Sequence, residues 1–568
     1  MGDVLEYLVD GTSGLAPGGV EGSAIVVGAC SKGQVGKGYL LGTSSDIEGL
    51  LGVGPLAERA RDMLNTGGQD PVLIAVPCLA QSGGYISEPV CTGGNGKYPD
   101  VGVSGVAQVN ADVVVKVEAA GDVGTATVLI SLDGGRTFAD AAETTAEQLV
   151  IGETGATLLF PSDAELENGW QWSFVTRGPV GPVERVGDAE SPLPVIAGDV
   201  LAGGEIAIQI VKSGGLNEGT YQLSTDGGEN YGKVKTLPVD GLVSVSALGV
   251  TVTFPKGTYT GGTTYYCRLL EPVPSIVDVM AALEEPLARY DVESVLVAGA
   301  TDSVDWAAMQ AKAEELWNLH RPTYFKAEAR LPRDDEDLND FTAYLVEEKR
   351  DVAARFVTVC AQYGGITDST GAVNLRNASG LQAGRVMSLP VQRATGRVRD
   401  GNISQLALPD GWMAVQSTLE DAGYLTAKKY AGLDGVYWGD SRTLADDTSD
   451  FRYEEVLRTV FKAVRKGRIA GLKSMYDEAG DPLLGNEAAG LAYLKANIEN
   501  ALDAMVGALP PELAAYVVNI PSGQDIVNNG VAVEITLIGI PIIRQIKLYF
   551  SYTYAGGKFD PRGLNQTA

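Results

Sequence analysis

Long apolar runs and helical periodicities alternate at both ends of the chain and give way in the middle to short alternating strands. The run at 23–28, Ser-Ala-Ile-Val-Val-Gly, is apolar at every position between its ends and predicts a strand buried on both faces. Helices are expected at 45–51 and 55–64 and a strand at 71–76; Pro55 suits a first helical turn and Thr66-Gly67-Gly68 an exit. The alternation resumes after residue 273. Ser275 and Asp278 open a helix running to 290, followed by strand 294–298, helix 303–319, strand 323–326, helix 337–349 and strand 355–360. Helical spacing returns at 419–430, 451–472 and 487–509, and the chain closes in a strand-rich segment, 517–554.

Between these α/β parts, from about 108 to 270, glycines multiply and helical periodicity all but vanishes, which predicts an inserted all-β region. It contains an internal repeat. Leu129-Ile-Ser-Leu-Asp133-Gly-Gly-Arg-Thr-Phe138 recurs 93 residues later as Gln222-Leu-Ser-Thr-Asp226-Gly-Gly-Glu-Asn-Tyr231, and Leu159-Phe160-Pro161 recurs as Thr253-Phe254-Pro255. The Asp-Gly-Gly segments read as hairpin turns, so two similar β-sandwich modules are expected. Asp133 and Asp226 have a chemistry suited to calcium or sugar, and Trp170 and Trp172 to carbohydrate stacking. Alternation of the aromatics along a strand favours a sandwich core instead.

The length of 568 residues calls for three or four domains. Net charge is −29, with −11 of it in 109–270, a surface that repels phosphate backbones; nucleic acid is not an expected direct partner. The longest strongly apolar stretch, 535–543, is too short to span a bilayer, and the first residues carry no basic-then-apolar export pattern, so no membrane insertion and a cytoplasmic site of synthesis are expected. Five cysteines without a C-x-x-C pair read as small buried hydrophobes.

Candidate chemistry is sparse. One histidine, His320, rules out a two-histidine metal site, and its place at a helix end suits a cap. The loop 31–38 has a glycine-rich look, yet Ser31 and Gly38 fail the phosphate-loop pattern. Asp335, Asp337 and Asn339 begin like a calcium loop, but Asp340 replaces the turn glycine and Val346 the bidentate glutamate. No enzyme, cofactor or metal is therefore expected.

The stretch Gly432-Leu-Asp-Gly-Val-Tyr-Trp-Gly-Asp-Ser-Arg442-Thr-Leu-Ala, followed by Phe451-Arg-Tyr-Glu-Glu-Val-Leu-Arg458-Thr-Val-Phe-Lys-Ala-Val-Arg465-Lys, resembles contractile tail sheath proteins. So do Gly22-Ser-Ala-Ile-Val-Val-Gly28 and Ser45-Asp-Ile-Glu-Gly-Leu-Leu-Gly52, which are similar to a sheath opening. The resemblance covers about 1–100 and 275–568; Leu15-Ala-Pro17-Gly-Gly-Val20-Glu departs from the usual opening and implies a divergent, Mu-like branch of phage sheaths. It implies an α/β (α+β) sheath core in two parts, 21–107 and 273–548, with β modules at 108–200 and 201–272 and arms at 1–20 and 549–568. The function it implies is mechanical. Subunits stack as hexameric rings in a helical lattice around a tail tube protein, meet baseplate and tail terminator proteins, and contract to drive the tube through the host envelope for genome ejection and host entry. The protein would be assembled in the host cytoplasm and reside in the virion tail.

Two sets of residues are candidates for contacts. Arg458, Lys462, Arg465 and Lys466 fall on one side of the basic helix and are expected to face the tube. Val4, Leu5, Tyr7, Tyr552, Tyr554 and Phe559 are expected to exchange strands between subunits, with a flexible root near Gly556-Gly557. A secreted adhesin or surface-layer protein is the alternative that the β modules and acidity suggest, and an enzyme with a carbohydrate-binding insertion is a further one.

Overall fold

The computed structural model describes residues 20–81, 83–93, 97–334, 336–368 and 370–555. Its fold is mixed α/β with many sheets. A six-stranded sheet organises the molecule in the order Tyr39–Leu41, Val72–Pro77, Ser23–Gly28, Ser294–Thr301, Tyr324–Ala329, Val357–Cys360, parallel except for its first edge. Its centre joins distant sequence: Ala24 pairs with Ser294 and Val27 with Val297. Alternate residues of Ser23–Gly28 point to opposite faces and both faces are covered, which is why the run is apolar throughout. Ile25 and Val27 enter a large core with the helices Ile276–Arg289, Ser303–Asn318, Leu338–Lys349, Trp412–Asp421 and Glu454–Leu472. Ala24 and Val26 face the helices Ile47–Leu51, Pro55–Thr66 and Ser379–Ser388.

That second layer is thin because small residues let two helices approach. Gly380 and Gly384, one turn apart, lie against the helix Pro55–Thr66; a Cβ at Gly384 would stand 2.4 Å from the Met63 carbonyl oxygen. Arg59 is fully buried in this layer and is held by Glu328 at 2.9 and 3.0 Å and by Glu271 at 2.8 Å, while Arg376 pairs with Asp62 at 2.8 Å. Each of these pairs ties the N-terminal part of the sheet to residues more than 200 positions away in sequence.

The chain leaves the core at Gln81 and returns at Val273, where the two residues exchange backbone hydrogen bonds of 3.0 and 3.2 Å. Between them lie two β regions, each with its own apolar cluster. The first has a sheet ordered Glu143–Thr144, Thr127–Ser131, Ala111–Ala119, Gln171–Arg177, Tyr85–Ile86, and a three-stranded sheet that includes Gly102–Gly105. The second has a sheet ordered Glu184–Val186, Thr264–Leu269, Gly204–Lys212, Thr220–Ser224, Lys235–Thr236, and a three-stranded sheet that includes Val195–Gly198. Short strands ahead of 108 and 201 pair into these sheets: Tyr85–Ile86 and Val90–Thr92 with Gln171–Arg177, Gly102–Gly105 with Ala156–Leu159, Glu184–Val186 with Thr264–Leu269, and Val195–Gly198 with Val250–Thr253.

The two Asp-Gly-Gly turns are built alike. Asp133 accepts from Ser131 Oγ and the Thr137 backbone, both at 2.8 Å, and Asp226 accepts from Ser224 Oγ at 2.5 Å and the Asn230 backbone at 2.9 Å. Gly134, Gly135, Gly227 and Gly228 all have positive φ, which the turn requires and glycine supplies. The carboxylates are thus occupied by their own turns, and Trp170 and Trp172 are packed in the first cluster, 4% and 1% exposed.

Several expectations need correction. The helix expected at 419–430 is Trp412–Asp421; Gly423 at φ +99 ends it, and Ala427–Lys428 pairs instead with Tyr437–Trp438. A hairpin, Tyr363–Thr367 with Val373–Asn377, and the helix Ser379–Ser388 stand where no element was expected; their glycines weaken the periodicities that mark such elements. The closing segment forms one two-stranded sheet, Ala515–Asn519 with Glu534–Ile538; 539–555 has no strand partner among the described residues.

Candidate assembly surface

The helix Glu454–Leu472 carries the expected tube-facing stripe, and most of that stripe points inward. Arg458 is 2% exposed and grips Glu293 through two hydrogen bonds of 2.7 and 3.1 Å, and the same carboxylate accepts from the Gly22 amide at 2.6 Å. Burial works against the Arg458 charge, but Glu293 holds its pKa above the ordinary arginine value. Arg465 is buried against the Val292 and Pro322 carbonyls, and Lys462 pairs with Glu512 at 2.7 Å. Arg458 and Arg465 are therefore internal ties. Lys466 is half-buried, and Arg468 and Lys473 are exposed. Sequence spacing placed Arg458 and Arg465 on one side correctly; nothing in it revealed that the buried acids opposite, Glu293 above all, lie on that side.

The first turn of the same helix holds two buried carboxylates that sequence reading passed over. Glu454 accepts from Tyr324 Oη at 2.8 Å, Gln382 Nε2 at 2.9 Å and Ser441 Oγ at 2.5 Å, and pairs with Lys326. Burial raises its pKa, but Lys326, Ser441 and Arg458 more than reverse this and leave it at about 2. Glu455 is pushed up to about 7 by burial, with Arg544 opposing and Asp440 adding to the shift. Arg544 reaches this pocket from the terminal segment. It donates to Asp440 at 2.5 Å and to Glu455, and its guanidinium lies 3.5 Å from the centre of the Tyr453 ring.

Beyond Arg544 the chain is exposed. Ile546, Leu548, Phe550, Tyr552 and Tyr554 are 72%, 70%, 92%, 82% and 76% exposed. They fall at every second position, with Lys547, Tyr549, Ser551 and Thr553 between them, so an extended 546–554 has one wholly apolar face and one mixed face. That is the pattern of a strand covered on one side, and no strand of this chain pairs with it among the described residues. The nearby sheet Ala515–Asn519/Glu534–Ile538 likewise has no further strand on either edge among the described residues, and its Val517, Ile535 and Ile538 are 54%, 41% and 45% exposed. Of the residues expected to exchange, Tyr552 and Tyr554 lie on the exposed face; Val4, Leu5, Tyr7 and Phe559 lie outside the described residues, as do Gly556 and Gly557.

Among the described residues, no group of three or more His, Cys, Asp and Glu side chains is placed to hold a metal ion, and no helix is long and apolar enough to cross a membrane. An interrupted core, two β regions with apolar clusters of their own and an exposed terminal segment define a mixed α/β protein. The chain belongs to the DUF2586 family: residues 1–442 match its N-terminal domain and residues 450–557 its C-terminal domain. It resembles solved sheath tail proteins. One, from Desulfitobacterium hafniense, is 12% identical with 95% of this chain and 100% of that chain covered and a TM-score of 0.40. Another, from Listeria innocua, is 10% identical with 92% and 96% covered and a TM-score of 0.38. The helical sheath of the anti-feeding prophage in its contracted state is 18% identical over 52% of this chain and 79% of that one, with a TM-score of 0.37. No curated protein matches the chain.

Proposed function

We propose that this chain is the sheath subunit of a contractile tail, polymerising as stacked hexameric rings around a tube and contracting to drive the tube through the envelope of a host cell. The observation that carries the reading is the segment 546–554: five large apolar side chains on one face of an extended chain, exposed in the single subunit and unpaired by any strand among the described residues. An edge of this kind aggregates unless another chain covers it, and a lattice of identical copies supplies that cover. The two-stranded sheet Ala515–Asn519/Glu534–Ile538 offers free edges for a neighbour's segment, and residues 4–7 and 559 extend the exchanged arms at each end.

The β regions are read as two duplicated sandwich modules inserted at the Gln81/Val273 crossing and carried on the outside of the lattice, where their net −11 over 109–270 meets solvent. Cations left for a tube contact on the basic helix are Lys466, Arg468 and Lys473. Such a role uses no catalysis. Electron microscopy of the purified full-length protein at high concentration tests the proposal: hollow tubes or stacked rings are expected, and truncation after Gln545 should abolish them while leaving a folded subunit. Normal tubes from the truncated chain would refute the exchange, and monomers at every concentration would refute the sheath reading.

A further inference from the structure

The terminal segment does not leave the body freely. We infer that Arg544 is a clamp that fixes the root of this segment to the start of the helix Glu454–Leu472, so that the chain pivots between Arg544 and Lys547 and not near Gly556-Gly557. This rests on the reading of 546–554 as an exchanged strand for its use, but not for its geometry.

Three groups from two places converge on the guanidinium: Asp440 at 2.5 Å, Glu455, and the Tyr453 ring at 3.5 Å. Glu455 and Asp440 are 4% and 21% exposed at the side chain; Glu455 Oε1 accepts from Arg544, and Oε2 has no hydrogen-bond partner among the described residues. Glu420 stands behind Asp440, accepting from its backbone amide at 3.1 Å and balanced by Lys428 at 2.8 Å, so it has no charge to spare for the pocket. Taking Arg544 away leaves two neighbouring carboxylates with no cation, which is what makes the clamp hold. The Arg544 side chain keeps 29% exposure while its donors are engaged, and three residues on Lys547 is exposed. One turn further along the same helix, Arg458 holds Glu293, which holds the Gly22 amide. The roots of both terminal segments are thereby fastened to the first two turns of one helix, and tension on either reaches the same place.

Trypsin reads the clamp directly, because cleavage after Arg544 requires its side chain to leave the pocket while cleavage after Lys547 does not. The unassembled full-length protein is digested briefly at fixed pH and its C-terminal fragments are weighed by mass spectrometry; the cleavage ratio is normalised to that in a synthetic 539–555 peptide. The Arg544–Gln545 bond is expected to be cut at least tenfold more slowly than the peptide ratio implies, and the double variant Asp440→Asn, Glu455→Gln should restore the peptide ratio. Arg544→Lys keeps a cleavable site but loses the forked geometry and the ring contact, and should move the ratio the same way without touching the core. A wild-type ratio equal to the peptide's overturns the clamp, as does a wild-type-like ratio in Arg544→Lys or in the folded double variant. The measurement needs no polymer. If truncated chains still form tubes while Arg544 is protected, the exchange falls and the clamp stands.

Discussion

Replacing Arg458 by methionine separates the two roles a base on this helix can have. A tube-facing arginine would cost nothing in the isolated subunit. In the structure Arg458 is 2% exposed and holds Glu293, itself 2% exposed, through two hydrogen bonds. Methionine leaves the Gly22 amide as the remaining donor recorded to that carboxylate, and breaking a buried pair by removing one partner costs about 3–5 kcal/mol. At ~2–4 °C per kcal/mol for a domain of 150–250 residues, the melting temperature should fall by roughly 6–20 °C. Arg468→Met, one exposed base further along, should stay within about 0.5 kcal/mol of wild type. The double variant Arg458→Met, Glu293→Gln should recover part of the loss, because the charge left unpaired is gone. Thermal melting of the unassembled protein, followed by circular dichroism, is the assay. Equal melting of Arg458→Met and Arg468→Met would refute the internal tie and return Arg458 to the surface.

Other expectations follow from the same ground. Excising 84–269 and joining Gly83 to Leu270 through a short Gly/Ser linker should leave a folded core, since a Cβ on Gly83 would stand 2.5 Å from the Leu270 carbonyl oxygen; excising 109–270 should give a protease-sensitive protein, because Tyr85–Ile86, Val90–Thr92 and Gly102–Gly105 lose their partners. Gly384→Ala should destabilise by about 1–3 kcal/mol in urea melts as its methyl forces the two helices apart, whereas Gly471→Ala, helical and with open space around it, should cost much less. Glu454, at about 2 against an ordinary 4.5, contributes stability that is present above 4.5 and lost as pH falls toward 2, so Glu454→Gln should flatten the acid limb of a stability profile. Glu455 has the opposite sign: raised to about 7, it contributes stability present below 4.5 and lost as pH rises through 7, so Glu455→Gln should lose less stability than wild type between pH 6 and 8.

What sequence reveals here depends on whether a residue's environment is local. Ser23–Gly28 was legible to its ends because a strand covered on both faces must be apolar throughout. The helix start at Leu338 was legible because Asp337 caps it within three residues, accepting from the Asn339 and Asp340 amides at 2.7 and 2.9 Å. The strands at Tyr85–Ile86 and Val90–Thr92 were hidden because they are short and only partly buried, and form only by pairing with Gln171–Arg177 some 80 residues on. The inward turn of Arg458 was hidden because Glu293 is 165 residues away. The terminal segment was read as strand from propensity; among the described residues no strand pairs with it, so the propensity has no local or long-range partner there to show it.

The join between Ser23–Gly28 and Ser294–Thr301 bears on how the protein is made. Ala24 waits for Ser294, 270 residues later, and at about 5–20 residues per second a ribosome needs roughly 15–50 s to deliver it. Throughout that interval Ile25, Val26 and Val27 have one flanking strand, Val72–Pro77, and only part of the cover that later shields them. The two β regions emerge during the same wait with complete apolar clusters of their own, so they fold while the central sheet is still open. The nascent chain therefore carries two finished domains beside an unfinished one, and its period of greatest need for a chaperone ends only when the strand at 294 has cleared the exit tunnel.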